Sequence, residues 1–125
     1  MKAKPGNPKD SHEQTAIQTT RLAASHRGYL VSVNGDSSPK FLLGHVVATQ
    51  NALAGIPSDE MLLALSRHER GDWGTLNPED RDANEKSLKD GGRLVSRYNS
   101  TANVKFWIIT EWNRKLTTVL LPKDY

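Results

Sequence analysis

From residue 41 onward the hydrophobic pattern switches twice, and each switch marks a change of element. Phe41-Leu-Leu-Gly-His-Val-Val-Ala48 is a nearly continuous apolar run rich in β-branched residues, and it predicts a first strand. Thr49 or Asn51 can cap a short helical turn through Leu53, which Gly55 and Pro57 interrupt. The period then becomes helical. Ser58 is a capping residue, Asp59 and Glu60 load the first turn, and Met61, Leu62 and Leu65 share one face. This helix is expected to reach about Arg70 and to stop at Gly71. A second helix starts at Asn77 as N-cap with Pro78 at the first helical position, and Gly91-Gly92 closes it. Ala83 and Leu88 give it only a narrow apolar stripe.

After Gly92 the period becomes two. Arg93–Tyr98 reads as a strand, and the loop 99–103 leads into Val104–Glu111, the strongest strand of the chain. There Val104, Phe106 and Ile108 alternate with Lys105, Trp107 and Ile109, so both faces are apolar and the strand is expected at the centre of a sheet. Trp112–Lys115 turns the chain, and Leu116–Leu121 returns to Pro122. The predicted class is α+β, in the order β-α-α-β-β-β: a small antiparallel sheet with the helices on one face.

The first 40 residues lack such a pattern. They are rich in Lys, Pro, Asn, Ser, Thr and Gln, with only a weak helical stretch at Glu13–Ala24 and a short β-like run at Tyr29–Val33. Their apolar area is too small to offset the ordering cost of about 1 to 2 kcal/mol per residue. The expectation is a mostly disordered tail, 1–40, followed by a compact domain, 41–125.

Composition narrows the classes. The chain has 125 residues, 36% hydrophobic and 25% charged, as one globular domain would. It has no cysteine, which excludes disulfides, cysteine-based zinc sites and thiol nucleophiles. No apolar run is long enough to span a membrane, and no secretory signal is recognisable at the start. A cytoplasmic protein without a membrane partner is therefore expected. The formal charge is +3, but its distribution matters more. Residues 1–40 hold six basic and three acidic residues, whereas 41–125 hold eleven of each. Within the domain, 41–92 has five basic against nine acidic residues and 93–125 six against two. The helical half is acidic and the strand half basic, so any polyanion should meet the strands first, unless these charges simply solvate the surface.

Two stretches carry candidate chemistry. In Arg67-His68-Glu69-Arg70-Gly71-Asp72-Trp73-Gly74, His68 and Asp72 are four apart. They suit an acid–base pair, two ligands of a metal site that lacks a third, or plain helix-end chemistry in which Trp73 plugs the loop. On the strands, Thr110, Glu111, Arg114, Thr117 and Thr118 surround one hairpin, with Arg93, Arg97 and Lys105 nearby. These groups position phosphates and move protons, and equally make ordinary cross-strand pairs. Tyr98, Trp107 and Tyr125 can stack on bases or fill a core. No Walker loop, dinucleotide fingerprint, nucleophile elbow or zinc-protease motif is present, so no metal or cofactor is expected.

Arg67-His68-x-x-Gly71-Asp72-Trp73-Gly74, Asp80-x-x-x-Asn84, Trp107-Ile-Ile-Thr-Glu111-x-x-Arg114 and Thr117-Thr-Val-Leu-Leu-Pro122-x-x-Tyr125 together resemble a group of small bacterial proteins carried on plasmids and prophages. The resemblance covers residues 42–125 and implies a mobile-element context rather than an activity. The order of elements is more loosely similar to that of RelE-type and barnase-like ribonuclease toxins, which cleave RNA without metal on an antiparallel sheet.

Two functions follow as expectations. The first is a non-enzymatic interaction module, an accessory or anti-defence factor that binds a host or phage macromolecule. The alternative is a metal-independent ribonuclease or RNA-binding protein. In that reading His68, Asp72 and Glu111 serve as catalytic groups, and Arg93, Arg97, Lys105, Arg114 and Thr118 bind the RNA. The partner is a protein or RNA, and a homodimer is compatible with both readings.

Overall fold

The computed structural model describes residues 38–125, so the expectations placed on residues 1–37 lie outside it. The described elements are β1 (His45–Ala48), α1 (Gln50–Gly55), α2 (Ser58–Glu69), α3 (Pro78–Asp90), β2 (Leu94–Asn99), β3 (Lys105–Thr110), β4 (Leu116–Leu120) and a closing 3₁₀ turn (Pro122–Asp124). The class is α+β, as the pattern predicts. The short turn expected after Thr49 is a true helix, α1, which Thr49 caps by accepting the Ala52 N–H at 3.1 Å.

The sheet has the spatial order β1-β4-β3-β2. β2, β3 and β4 form the expected antiparallel meander, with β3 inside it. β1 instead pairs in parallel with β4, His45 opposite Leu116 through Ala48 opposite Val119, so the sheet is mixed rather than wholly antiparallel. Alternation fixes which face a side chain takes; it does not fix the neighbour or its direction. Gly44 makes this pairing fit. Its φ is +69°, and a Cβ there would lie 2.5 Å from the Arg114 carbonyl oxygen.

The inner face of the sheet carries Val46, Ala48, Phe106, Ile108, Val119 and Tyr98. These pack against Ala52, Ile56, Met61, Ala64 and Leu65 of the helical layer. α2 presents Met61, Ala64, Leu65 and His68 on one stripe by i, i+3, i+4, i+7 spacing, and all four are buried. Its first helical residue is Ser58, and no side chain caps it. Gly71 beyond its end has φ +84°, as a helix stop requires.

α3 matches its sequence signals. Asn77 accepts the Asp80 N–H at 2.8 Å, Pro78 opens the helix, and Gly91 ends it in the left-handed region with its N–H on Ser87 O. Of the expected apolar stripe, Leu88 packs against the cluster of Trp73, Leu76 and Leu94. Ala83 is exposed, and the buried residue is Asn84. Its amide donates to Val95 O at 2.7 Å and accepts from Val95 N at 3.1 Å, so one side chain imitates a strand neighbour at the edge of β2. The same edge is closed further along by residues 73–75, through Thr75 N to Arg97 O and Arg97 N to Trp73 O. An edge strand covered in this way cannot recruit another strand.

Candidate functional site

Two places in the fold concentrate the residues singled out in the sequence: a polar network inside the core and a groove on the outer face of the sheet. His68 sits at the centre of the first. Its Nδ1 lies 2.6 Å from Ser96 Oγ on β2, and its Nε2 lies 2.9 Å from Thr110 Oγ1 on β3. Thr110 Oγ1 is 2.7 Å from Thr117 Oγ1 on β4, and Thr117 donates to the Leu43 carbonyl at 2.7 Å. The proton count fixes the directions. Thr117 spends its single proton on Leu43 O, so Thr110 donates to Thr117. Thr110 must then accept from His68, which places the ring proton on Nε2 and leaves Nδ1 to accept from Ser96. Phe41 and Trp73 close over the imidazole with their rings at 5.2 and 5.7 Å.

Burial without a carboxylate partner disfavours the imidazolium, and the positive Arg114 adds to this, so the pKa of His68 is pushed down to about 3. The ring stays neutral at any ordinary pH, and both of its nitrogens are occupied. Ser96 and Thr110 therefore take up the hydrogen-bonding capacity of both ring nitrogens. Asp72 does not orient it. The Asp72 carboxylate instead takes a two-pronged bond from Arg67, at 2.8 and 3.2 Å, which holds it below the usual carboxylate range. Arg67 also lies 4.8 Å from the centre of the Tyr98 ring.

The hairpin residues divide similarly. Glu111 accepts from Arg93 at 3.2 and 3.5 Å, and Arg93 also donates to the Tyr125 hydroxyl at 3.0 Å. Arg114 points its guanidinium at backbone: Nη1 donates to Gly92 O at 2.6 Å and Glu111 O at 3.0 Å, and Nη2 donates to Ser87 O at 2.9 Å. It therefore ties the end of α3 to the β3–β4 turn, where its own φ is +60°. Thr118 is buried on the outer face between Val47 and Ile109. Tyr98 is also buried, with its hydroxyl donating to Asp72 O at 2.6 Å, so it offers no stacking face.

Arg97 and Lys105 remain on the surface. The β2–β3 register sets Arg97 opposite Trp107 and Asn99 opposite Lys105, so the four project from one face of the sheet. They line a groove of about 440 Å³ together with Thr75 from the edge strap and Pro122 from the closing turn. The Arg97 guanidinium lies 5.3 Å from the centre of the Trp107 ring, and Tyr125 meets Trp107 edge-on at 5.5 Å. Among the described residues the ion pairs are Arg67–Asp72, Lys86–Asp90 and Arg93–Glu111, which leaves Arg97 and Lys105 without a carboxylate partner. None of the described residues lining the groove is acidic.

Sequence reasoning missed Ser96 and Thr110 as partners of His68, Thr117 as the next link beyond Thr110, and Asn84 as the anchor of α3. One signal was available. His68 stands seven residues after Met61 on a buried stripe, and Ser96 stands at an inward position of an alternating strand. Polar residues at core positions of two elements are expected to satisfy each other.

Fold and site define a small α+β domain with a sealed histidine–hydroxyl interior and an open cationic groove on the sheet. Against known proteins, no family model, no curated protein and no solved structure matches this chain.

Proposed function

We propose that this domain is a non-enzymatic interaction module that binds an anionic macromolecule, with the groove of Arg97, Lys105 and Trp107 as its contact surface. The carrying observation is that two exposed cations flank one aromatic ring in a concave site with no acidic residue among its described lining. Unpaired cations in a concave site attract polyanions. The candidate acid–base groups are already engaged: His68 is neutral and enclosed, Asp72 is tied to Arg67, and Glu111 to Arg93. That arrangement supports binding over catalysis. The resemblance to mobile-element proteins supplies the setting: an accessory or anti-defence factor in the cytoplasm that meets a host or phage macromolecule.

The test uses the full chain, because residues 1–40 hold the net positive charge and contribute equally to every variant. On immobilised heparin in a salt gradient, Arg97→Ala/Lys105→Ala is expected to elute clearly before the wild type, and Asp72→Asn, which gains net positive charge, no earlier than the wild type. Co-elution of the double variant with the wild type would remove the groove from consideration. Incubation of pure protein with total RNA is expected to leave the RNA intact; reproducible cleavage would overturn the non-enzymatic reading.

A further inference from the structure

The groove is specific enough in its chemistry to name a ligand class. We infer that it takes a single-stranded nucleic acid, one base of which stacks on the Arg97–Trp107 platform while the neighbouring phosphate meets Lys105. This rests on the groove being the binding surface and adds what it binds.

A polyanion that is read by charge alone needs only lysines and arginines on a convex face. Here a guanidinium is held over an indole at 5.3 Å inside a concavity. A guanidinium plane and an indole ring both offer π faces on which any base stacks, and aromatic–arginine platforms of this kind suit unpaired bases. A duplex hides those faces in its own stack, so a single strand is the form that fits. A sulfated sugar or an acidic backbone carries no flat π face to stack between the ring and the guanidinium.

The spacing agrees. Trp107 and Lys105 are two residues apart on β3, which puts them on one face roughly 7 Å from each other along the strand. That is a step for an extended nucleotide, base at one position and phosphate at the next. Asn99, exposed opposite Lys105, adds an amide that can both donate to and accept from a base edge. The volume of about 440 Å³ lies within the usual range for a small-molecule site and accommodates about one nucleotide, so the strand must continue along the sheet surface at both ends. Arg93, held over Tyr125 at 6.0 Å, lies further along the same face.

Fluorescence anisotropy of the full chain with labelled oligouridylate, the deoxy equivalent and a duplex of equal length tests this across a range of potassium chloride concentrations. Both single strands are expected to bind more tightly than the duplex, and the ribose and deoxyribose arms show which sugar is preferred. Trp107→Leu keeps apolar volume but removes the ring, and is expected to weaken single-strand binding on the order of tenfold to a hundredfold. Lys105→Ala, at an exposed site, is expected to flatten the slope of log affinity against log salt by about 0.7, the share of one single-strand phosphate contact. Circular dichroism confirms that each variant is folded. Duplex bound as tightly as single strand, or a folded Trp107→Leu that binds like the wild type, overturns the stacking inference while heparin retention keeps the groove. Retention on heparin with no oligonucleotide binding assigns the groove to an acidic protein surface and also overturns it. Indifference of both heparin and oligonucleotide to Arg97→Ala/Lys105→Ala removes the inference and the function beneath it together.

Discussion

Replacing His68 by glutamine isolates the enclosed imidazole in one measurement. Glutamine keeps an N–H to donate to Thr110 and a carbonyl to accept from Ser96, but it does not titrate. At pH 7 the variant loses the ring contacts with Phe41 and Trp73, a cost of about 2 kcal/mol. The pH dependence is the sharper readout. The pKa of His68 falls from 6.5 to about 3 in the folded protein. Between those values the unfolded chain binds a proton that the folded chain refuses, so stability falls as pH falls. Above about pH 7.5 the effect vanishes. By pH 5 it costs the wild type about 2 kcal/mol relative to pH 7, and glutamine removes this cost. The gap between wild type and His68→Gln is therefore expected to close by pH 5. The lowered carboxyls of Asp72 and Asp124 add their own losses below about pH 5, equally in both proteins, so the comparison stops there. Urea unfolding at pH 7, 6 and 5 reads the effect directly. Parallel stability curves for the two proteins, or a His68 ring that titrates near pH 6 by NMR, would refute the closed neutral network.

Two further substitutions test the scaffold beneath the site. Arg114→Ala removes charge-assisted bonds to Ser87 O, Gly92 O and Glu111 O, and is expected to cost about 2 to 3 kcal/mol in urea unfolding, with Arg114→Lys failing to restore it for lack of a fork; a loss below half a kcal/mol would show that the clamp is dispensable. Gly74→Ala places a Cβ against Arg97 O at a φ of +76°, so the edge strap must lift from β2, with a loss of about 2 kcal/mol or more and faster amide exchange at Arg97; unchanged exchange there would count against the strap.

The sequence by itself determined the α+β class, the meander, the position of β3 inside the sheet and both ends of α3. Those features depend on local physics: alternation selects a strand face, Asn77 and Pro78 begin a helix, and Gly91 can leave it in the left-handed region. It also placed Arg97 and Lys105 on neighbouring strands in a basic half. What it left open were pairings between distant positions. Whether His68 is a catalyst or an enclosed structural group depends on Ser96, 28 residues away, and Thr110, 42 away, which only the strand register brings to its two nitrogens. Register also decides that Glu111 belongs to Arg93, that Arg114 reaches the Gly92 carbonyl, and that β1 runs parallel to β4, whereas Asp72 is taken locally by Arg67 five residues before it. A side chain's chemistry is set by its partners, and partners separated by tens of residues are chosen by the packing of the whole sheet. Tertiary structure alone therefore enclosed the histidine and left the groove around Trp107 open at the surface.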